Sequence, residues 1–185
     1  MARTLTEQIP LDFKAPGFEL PEPLTGISKT LDEVKGQHAT VVMFICNHCP
    51  YVVHVRDELI RMGNDYMPKG VGFVAISSND VKNYPEDHPD LMAELAARSH
   101  MPFPYLYDES QQVAKDYHAA CTPDLAIFDG DLSCVYRGQL DDSRPGNGLP
   151  VNGADMRNAL DAILSGSEVS SHQIPSVGCN IKWKS

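Results

Sequence analysis

The sequence predicts an α/β fold in which a mixed sheet, parallel in one half and antiparallel in the other, is flanked by helices. Three observations carry this. Residues 40–77 read strand, helix, strand, a βαβ unit with two apolar strands and an amphipathic crossover. Residues 125–137 read as two short strands around Asp129-Gly130-Asp131, a hairpin and therefore an antiparallel pair. Further helical patterns near residues 89–97, 110–117 and 152–165 supply the covering layers.

Each element has a local reason. Residues 1–26 are rich in Pro and Leu without a clear period and read as an extended N-terminal segment. Thr30-Leu31-Asp32-Glu33 fits a capping box, opening a helix of one or two turns that Gly36 ends. Thr40–Ile45 is β-branched and apolar without alternation, as in a strand buried on both faces. Val52, Val55, Leu59 and Met62 then recur at helical spacing, and Gly63 is read as the stop. Val71–Ser77 is the second buried strand, and Ser78–Pro89 a polar loop. Pro89 suits the first turn of a helix carrying Leu91, Met92, Leu95 and Ala96.

Downstream, residues 104–107 read as a short strand, and Ser110 as the cap of a helix reaching Tyr117. After the hairpin, residues 141–152 form a polar loop whose acids Asp141 and Asp142 read as loop acids. Asn152 is placed to cap a final helix that buries Met156, Leu160, Ile163 and Leu164 and stops at Gly166. The whole is read as one domain, residues 1–185, with a core of about 14–165 and a C-terminal tail, 166–185, that docks or stays mobile.

Composition narrows the function. The chain has 185 residues, 15 Lys and Arg against 25 Asp and Glu, and a net charge of −10, which disfavours nucleic acid and anionic membranes as partners. The longest apolar run, Val41–Cys46, is far short of the roughly 20 residues of a membrane span. The N-terminus lacks the apolar stretch of a secretory signal, so a cytoplasmic location is expected. Five cysteines, an odd count, make a poor disulfide framework, and a close pair among them points to redox or metal chemistry. Neither a dinucleotide fingerprint nor a phosphate-binding loop is present, so no cofactor is expected.

The chemistry concentrates in Cys46-Asn47-His48-Cys49-Pro50, where a buried strand hands over to a helix. Pro50 suits the first helical position, which makes Cys49 the N-cap, its sulfur facing free N–H groups and the positive end of the helix dipole. That environment favours thiolate and makes Cys49 the nucleophile, with Cys46 as resolving partner and His48 adding positive character when protonated. Zinc is the other reading of the pair, with His48, Cys121 or His118 completing the ligands; without a second Cys-x-x-Cys, no metal is expected. Arg137 and Arg144 are weaker candidates for holding a thiolate or an acidic substrate group. Cys134 reads as structural, and Met62 and Met67 as filler.

Lys14-Ala15-Pro16-Gly17-Phe18-Glu19-Leu20, the motif VVMFICNHCP, Cys121-Thr122-Pro123-Asp124 before LAIFD, and Val135-Tyr136-Arg137-Gly138 together resemble the thioredoxin-like superfamily on its peroxiredoxin-like side, over roughly residues 14–165. With NHCPY and a Gly-Cys-x-Ile-Lys-Trp-Lys ending, the chain is similar to a group of bacterial thioredoxin-family and peroxiredoxin-like proteins. The resemblance implies a thioredoxin-like fold with an N-terminal extension, a cis Pro123, and Thr122 facing the active sulfur on a loop that pairs with a bound thiol partner. It makes His48, Pro50, Thr122 and Pro123 the substrate-binding set.

It also implies departures. Matching Phe44 to the aromatic of the family's strand puts Cys49 in the nucleophile's place and Val52 in that of the second cysteine. Met43 stands where thioredoxins bury an acid, and Cys46 where peroxiredoxins keep a threonine. If the fold is right, Cys121 is a second candidate resolving thiol, or else a packed small residue. Cys179 in the tail resolves Cys49, pairs with another subunit in a homodimer, or does nothing.

The expected function is thiol–disulfide exchange in redox homeostasis, with protein or small-molecule disulfides and thiols as partners and an external thiol reductant closing the cycle. Peroxide reduction through a Cys49 sulfenic acid is the alternative. The competing class is a non-catalytic scaffold whose cysteines hold metal or sense redox state.

Overall fold

The computed structural model describes residues 3–185, so the first two residues of the N-terminal segment lie outside it. A five-stranded sheet forms the centre. Its strands are β4 (Ala39–Phe44), β5 (Val71–Ser77), β6 (Tyr105–Tyr107), β8 (Asp124–Asp129) and β9 (Cys134–Arg137), in the order β6-β5-β4-β8-β9. The pairs β4/β5 and β5/β6 are parallel, whereas β4/β8 and β8/β9 are antiparallel, the division the sequence predicts. β4 and β5 are buried along their whole length, which is why they read as unbroken apolar runs.

Helix α1 (Leu31–Val34) is a single turn held by the predicted capping box: Thr30 Oγ1 accepts from the Glu33 amide, and Glu33 accepts from the Thr30 amide. The long helix α2 (Pro50–Tyr66) follows β4 and packs Val52, Val55, Leu59, Met62 and Tyr66 inward. It runs through Gly63, which is not its stop. A Cβ there would lie 2.8 Å from a Phe103 ring carbon, so the glycine serves close packing. Helix α3 (Pro89–Arg98) begins with Pro89 as expected, and His88 Nδ1 accepts from the Asp90 amide.

Helix α4 (Gln112–Asp116) is capped differently from the prediction. Gln111 occupies the N-cap in the left-handed region, while Ser110 Oγ and the buried Asp108 carboxylate accept the free amides of Gln112 and Ala114. Helix α5 (Ala154–Ser165) has Gly153 at the N-cap position and ends at Gly166, both with positive φ, while the predicted capping residue Asn152 accepts the Ala154 amide through its Oδ1. The loop acid Asp141 is buried and accepts from the amides of Asn152 and Gly153, anchoring the start of α5.

The ends of the chain hold the main surprises. The N-terminal segment is not merely extended. It contains β1 (Arg3–Leu5) and β2 (Glu19–Glu22), and β2 forms a hairpin with β3 (Ile27–Thr30). The tail docks through β10 (Val177–Asn180), which lies between β1 and the two-residue strand β7 (Cys121–Thr122) in a separate three-stranded sheet. These pieces lack long apolar alternation, so only tertiary pairing reveals them. No helix among the described residues is long and apolar enough to cross a membrane.

Candidate active site

β4 ends in the middle of the sheet, so the strand-to-helix junction that follows lands over the core. Cys46 and Cys49 are both buried there, Cys49 with no exposed surface. Cys49 is the N-cap of α2 in extended geometry and Pro50 opens the helix, as the proline placement predicts.

Opposite the junction lies the Thr122–Pro123 peptide, which is cis. Cys46 Sγ is 3.5 Å from Thr122 Oγ1, and Cys49 Sγ is 3.1 Å from the Thr122 carbonyl oxygen. The third thiol at this point is Cys179. β10 runs antiparallel to β7 with Cys179 facing Thr122 in register, which brings Cys179 into the same buried cluster as Cys49. Gly178 permits the approach, because a Cβ there would stand 1.9 Å from the Thr122 carbonyl oxygen.

The electrostatics differ from the expected dipole effect. The Cys49 pKa is held well below the ordinary thiol value, first of all by the hydrogen bond from the Cys46 thiol. Burial opposes this, while the Cys179 thiol, the Thr122 hydroxyl and, least, the Val52 amide reinforce it. The helix end thus contributes least, through the Val52 amide, and neighbouring side chains dominate. The Thr122 carbonyl acts the other way, since it accepts only from the protonated thiol. Cys46 is the complementary partner: its pKa is raised by the bond to Cys49, by burial and by the nearby Asp87 carboxylate.

Cys121 is not brought to this cluster. Its sulfur meets Thr6 Oγ1 at 3.7 Å and the Pro123 carbonyl at 3.5 Å, on the side facing β1, and burial raises its pKa. Cys134 is buried in the core on the other face of the sheet, as a structural residue. His118 lies with Phe13 and near Glu7, among the residues of the N-terminal segment. All five thiols are free.

Arg137 holds neither a thiolate nor a substrate group. It is buried, pairs with Asp124 at 3.1 Å, and donates to the carbonyls of Glu7, Tyr117 and His118, fixing the loop that leads into β7. Arg144 is spent on the carbonyls of Asp141 and Ser143 and on Gln139 within its own loop.

Three residues at the site escape sequence reasoning. Asp87 lies in what reads as a polar loop, yet it is fully buried against the motif: its carboxylate accepts from the Asn47 amide and from Asn79 Nδ2. His48 Nδ1 stands 2.8 Å from Asp87 Oδ2, an ion-pair distance without hydrogen-bond alignment, and the ring stacks on Tyr84 at 5.9 Å. Lys182, from the tail, brings its ammonium within 5.5 Å of the Tyr84 ring centre. A Pro-Glu-Asp turn some forty residues after the cysteines carries no local signal for any of this.

Cys46, His48 and Asp87 bring a sulfur, a ring nitrogen and a carboxylate oxygen within 4.8 Å of one another, which is the donor set a metal would use among the described residues. Asp87 already accepts from two protein donors, whereas the buried His48 Nδ1 is left without a hydrogen-bond partner. A crevice of about 20 Å³, room for about one water, lies beside Tyr51, Pro123 and Val177.

The family model described as Redoxin matches residues 11–158. An uncharacterized conserved protein from Geobacillus kaustophilus is 59% identical, with a TM-score of 0.98, covering 100% of this chain and 97% of that one. A hypothetical protein from Sinorhizobium meliloti is 46% identical, with a TM-score of 0.96, covering 98% and 99%. The thioredoxin domain of a thiol-disulfide oxidoreductase from Bacteroides vulgatus is 16% identical over 70% of this chain and 89% of that one, and its TM-score of 0.59 shows a shared fold. Among curated proteins none matches.

Proposed function

The chain belongs to the Redoxin family and has a thioredoxin-like fold, and from that premise we propose that it is a thiol–disulfide oxidoreductase whose nucleophile is Cys49. The observation that carries this reading is Cys49 at the head of α2, its thiolate favoured by the hydrogen bond from Cys46 and facing Thr122–Pro123. The Cys49 thiolate attacks one sulfur of a partner disulfide. That S–S bond breaks, one partner thiolate leaves, and a mixed disulfide forms on Cys49. A neighbouring thiol, once deprotonated, attacks Cys49 Sγ, expels the second partner thiolate and leaves an internal disulfide. An external thiol reductant then restores both cysteines.

The protein supplies the sulfur's charge and its position. Thr122 and Pro123 form the wall against which the partner's sulfur aligns, and His48 and Pro50 flank the approach. The test is oxidation of the reduced protein by glutathione disulfide, followed by peptide mapping. Two thiols are expected to oxidise per chain, and Cys49→Ser abolishes this.

Two results would replace the reading. Rapid peroxide consumption needing Cys49 alone would favour peroxide reduction through a sulfenic acid. One firmly held zinc per chain, lost on Cys46→Ala, would turn the Cys46, His48 and Asp87 cluster into a metal site.

A further inference from the structure

The tail strand makes an unusual match with the site. β7 contributes only Cys121 and Thr122, and its free edge is taken by β10 through the pairs Cys179↔Thr122 and Asn180↔Cys121. A short strand edge beside a nucleophile is where an extended peptide docks, through backbone hydrogen bonds with side chains alternating to either face. β10 holds that edge, and the side chain it delivers to Cys49 is itself a cysteine. The fit is close enough that position 178 has no room for a Cβ.

We propose that β10 is a built-in occupant of the partner-docking edge and that Cys179, not Cys46, is the thiol that resolves the mixed disulfide at Cys49. The inference rests on the reading of Cys49 as nucleophile. When a partner bearing an extended, cysteine-containing segment takes the β7 edge, β10 must yield it. The two β10–β7 pairs are what must break. The three β1–β10 pairs, Arg3↔Cys179, Thr4↔Gly178 and Leu5↔Val177, can travel with it. Downstream, Ile181 and Lys182 are fastened to Ala120, Asn79, Asp80 and Gln111, so the segment stays tethered within reach.

Return of β10 then carries out the second exchange. The Cys179 thiolate attacks Cys49 Sγ, the Cys49–partner S–S bond breaks with its electron pair going to the partner sulfur, and a Cys49–Cys179 disulfide forms. Over both steps two protein thiols are oxidised and one partner disulfide is reduced to two thiols. Release of the partner and re-covering of the edge are one event.

The surroundings separate the two candidate thiols. Cys46 sits beside the buried Asp87 carboxylate, which disfavours its thiolate whatever happens at Cys49. Cys179 has Lys182 as the neighbouring charge, which favours its thiolate. Two of the effects that hold Cys179 protonated, its hydrogen bond with Cys49 and the Cys49 charge, vanish once Cys49 is in a mixed disulfide. Its burial is relieved only while the strand is lifted.

The experiment is stoichiometric oxidation of the reduced full chain by glutathione disulfide, quenched with acid and mapped by mass spectrometry, on wild type, Cys179→Ser, Cys46→Ser and Gly178→Ala. The expected product in wild type and in Cys46→Ser is a Cys49–Cys179 disulfide. Cys179→Ser is expected to stop with glutathione on Cys49. Gly178→Ala, which pushes β10 off Thr122, is expected to speed capture of glutathione at Cys49 at least several-fold. A Cys46–Cys49 disulfide forming at the wild-type rate in Cys179→Ser would overturn the inference while leaving the nucleophile intact. Absence of any Cys49 adduct in all four proteins would remove the reading beneath it.

Discussion

At the residue scale, charge is divided unequally among like groups. Cys49 is held below the ordinary thiol pKa. Cys46 is raised by its bond to Cys49, and Cys121, Cys134 and Cys179 are raised chiefly by burial, Cys179 to about 12 and Cys134 to about 11. The signs follow. A depressed group stabilises the fold above its unfolded pKa and loses that contribution as pH falls through its folded value. Raised groups contribute fully below the unfolded value of about 8.5 and lose their contribution as pH rises. The Tm difference between reduced wild type and Cys49→Ser is therefore expected to grow from acid up to about pH 8.5, and both proteins are expected to lose stability above it. A Tm difference flat across pH 4–8 would mean that Cys49 titrates as a free thiol. Cys46→Ala, which removes the largest cause of the shift, is expected to move the Cys49 thiolate absorbance step toward 8.5. The place of Cys49 at the head of α2 was legible in the sequence because a proline after a cysteine fixes a helix start. The Cys46 hydrogen bond and Asp87 were not, because burial and long-range approach leave no mark on a linear pattern.

At the scale of elements, two glycines and an arginine do what propensity alone would misjudge. Gly63 looks like a terminator but lies inside α2 against Phe103 and Pro102. Alanine at an exposed helix position gains about 1 kcal/mol over glycine. Here the clash reverses the sign, and Gly63→Ala is expected to cost about 1–3 kcal/mol, the usual penalty of overpacking, read from denaturant midpoints. Gly178 plays the same part between strands. Arg137 and Asp124 form a buried pair behind the Thr122–Pro123 loop. Arg137→Leu leaves Asp124 without its cation and is expected to cost about 3–5 kcal/mol, with the carboxyl protonating instead. A loss below about 1 kcal/mol would show that the loop is held by other contacts. The central strands and α2 announced themselves by period and apolarity. β1, β7 and β10, at two to four residues each, fall below what any pattern can register, and the tail could be read only as docked or mobile.

At the scale of the molecule, the candidate site is assembled from distant parts of the chain: the β4–α2 junction, the Thr122–Pro123 loop, and β10 stitched to β1. The thioredoxin-like core was readable from the order of its motifs, but the closure of that core by its own ends was not. Removing residues 175–185 is expected to leave the five-stranded sheet folded, lower Tm by several degrees, and raise the rate at which iodoacetamide modifies Cys49. An unchanged alkylation rate would show that β10 does not guard the sulfur.

The complete burial of Cys49 has a further consequence for how the protein meets oxidants. A sulfur with no surface of its own can be struck by a passing molecule only when its surroundings open, however nucleophilic it is. Its tempo is that of breathing in the backbone around it, and should climb with mild denaturant or warmth along with amide hydrogen exchange in β7 and β10. Selectivity then lies less in recognising the sulfur than in lifting its cover: a small disulfide such as glutathione must wait for that opening, whereas a partner with a strand-forming segment is expected to drive it.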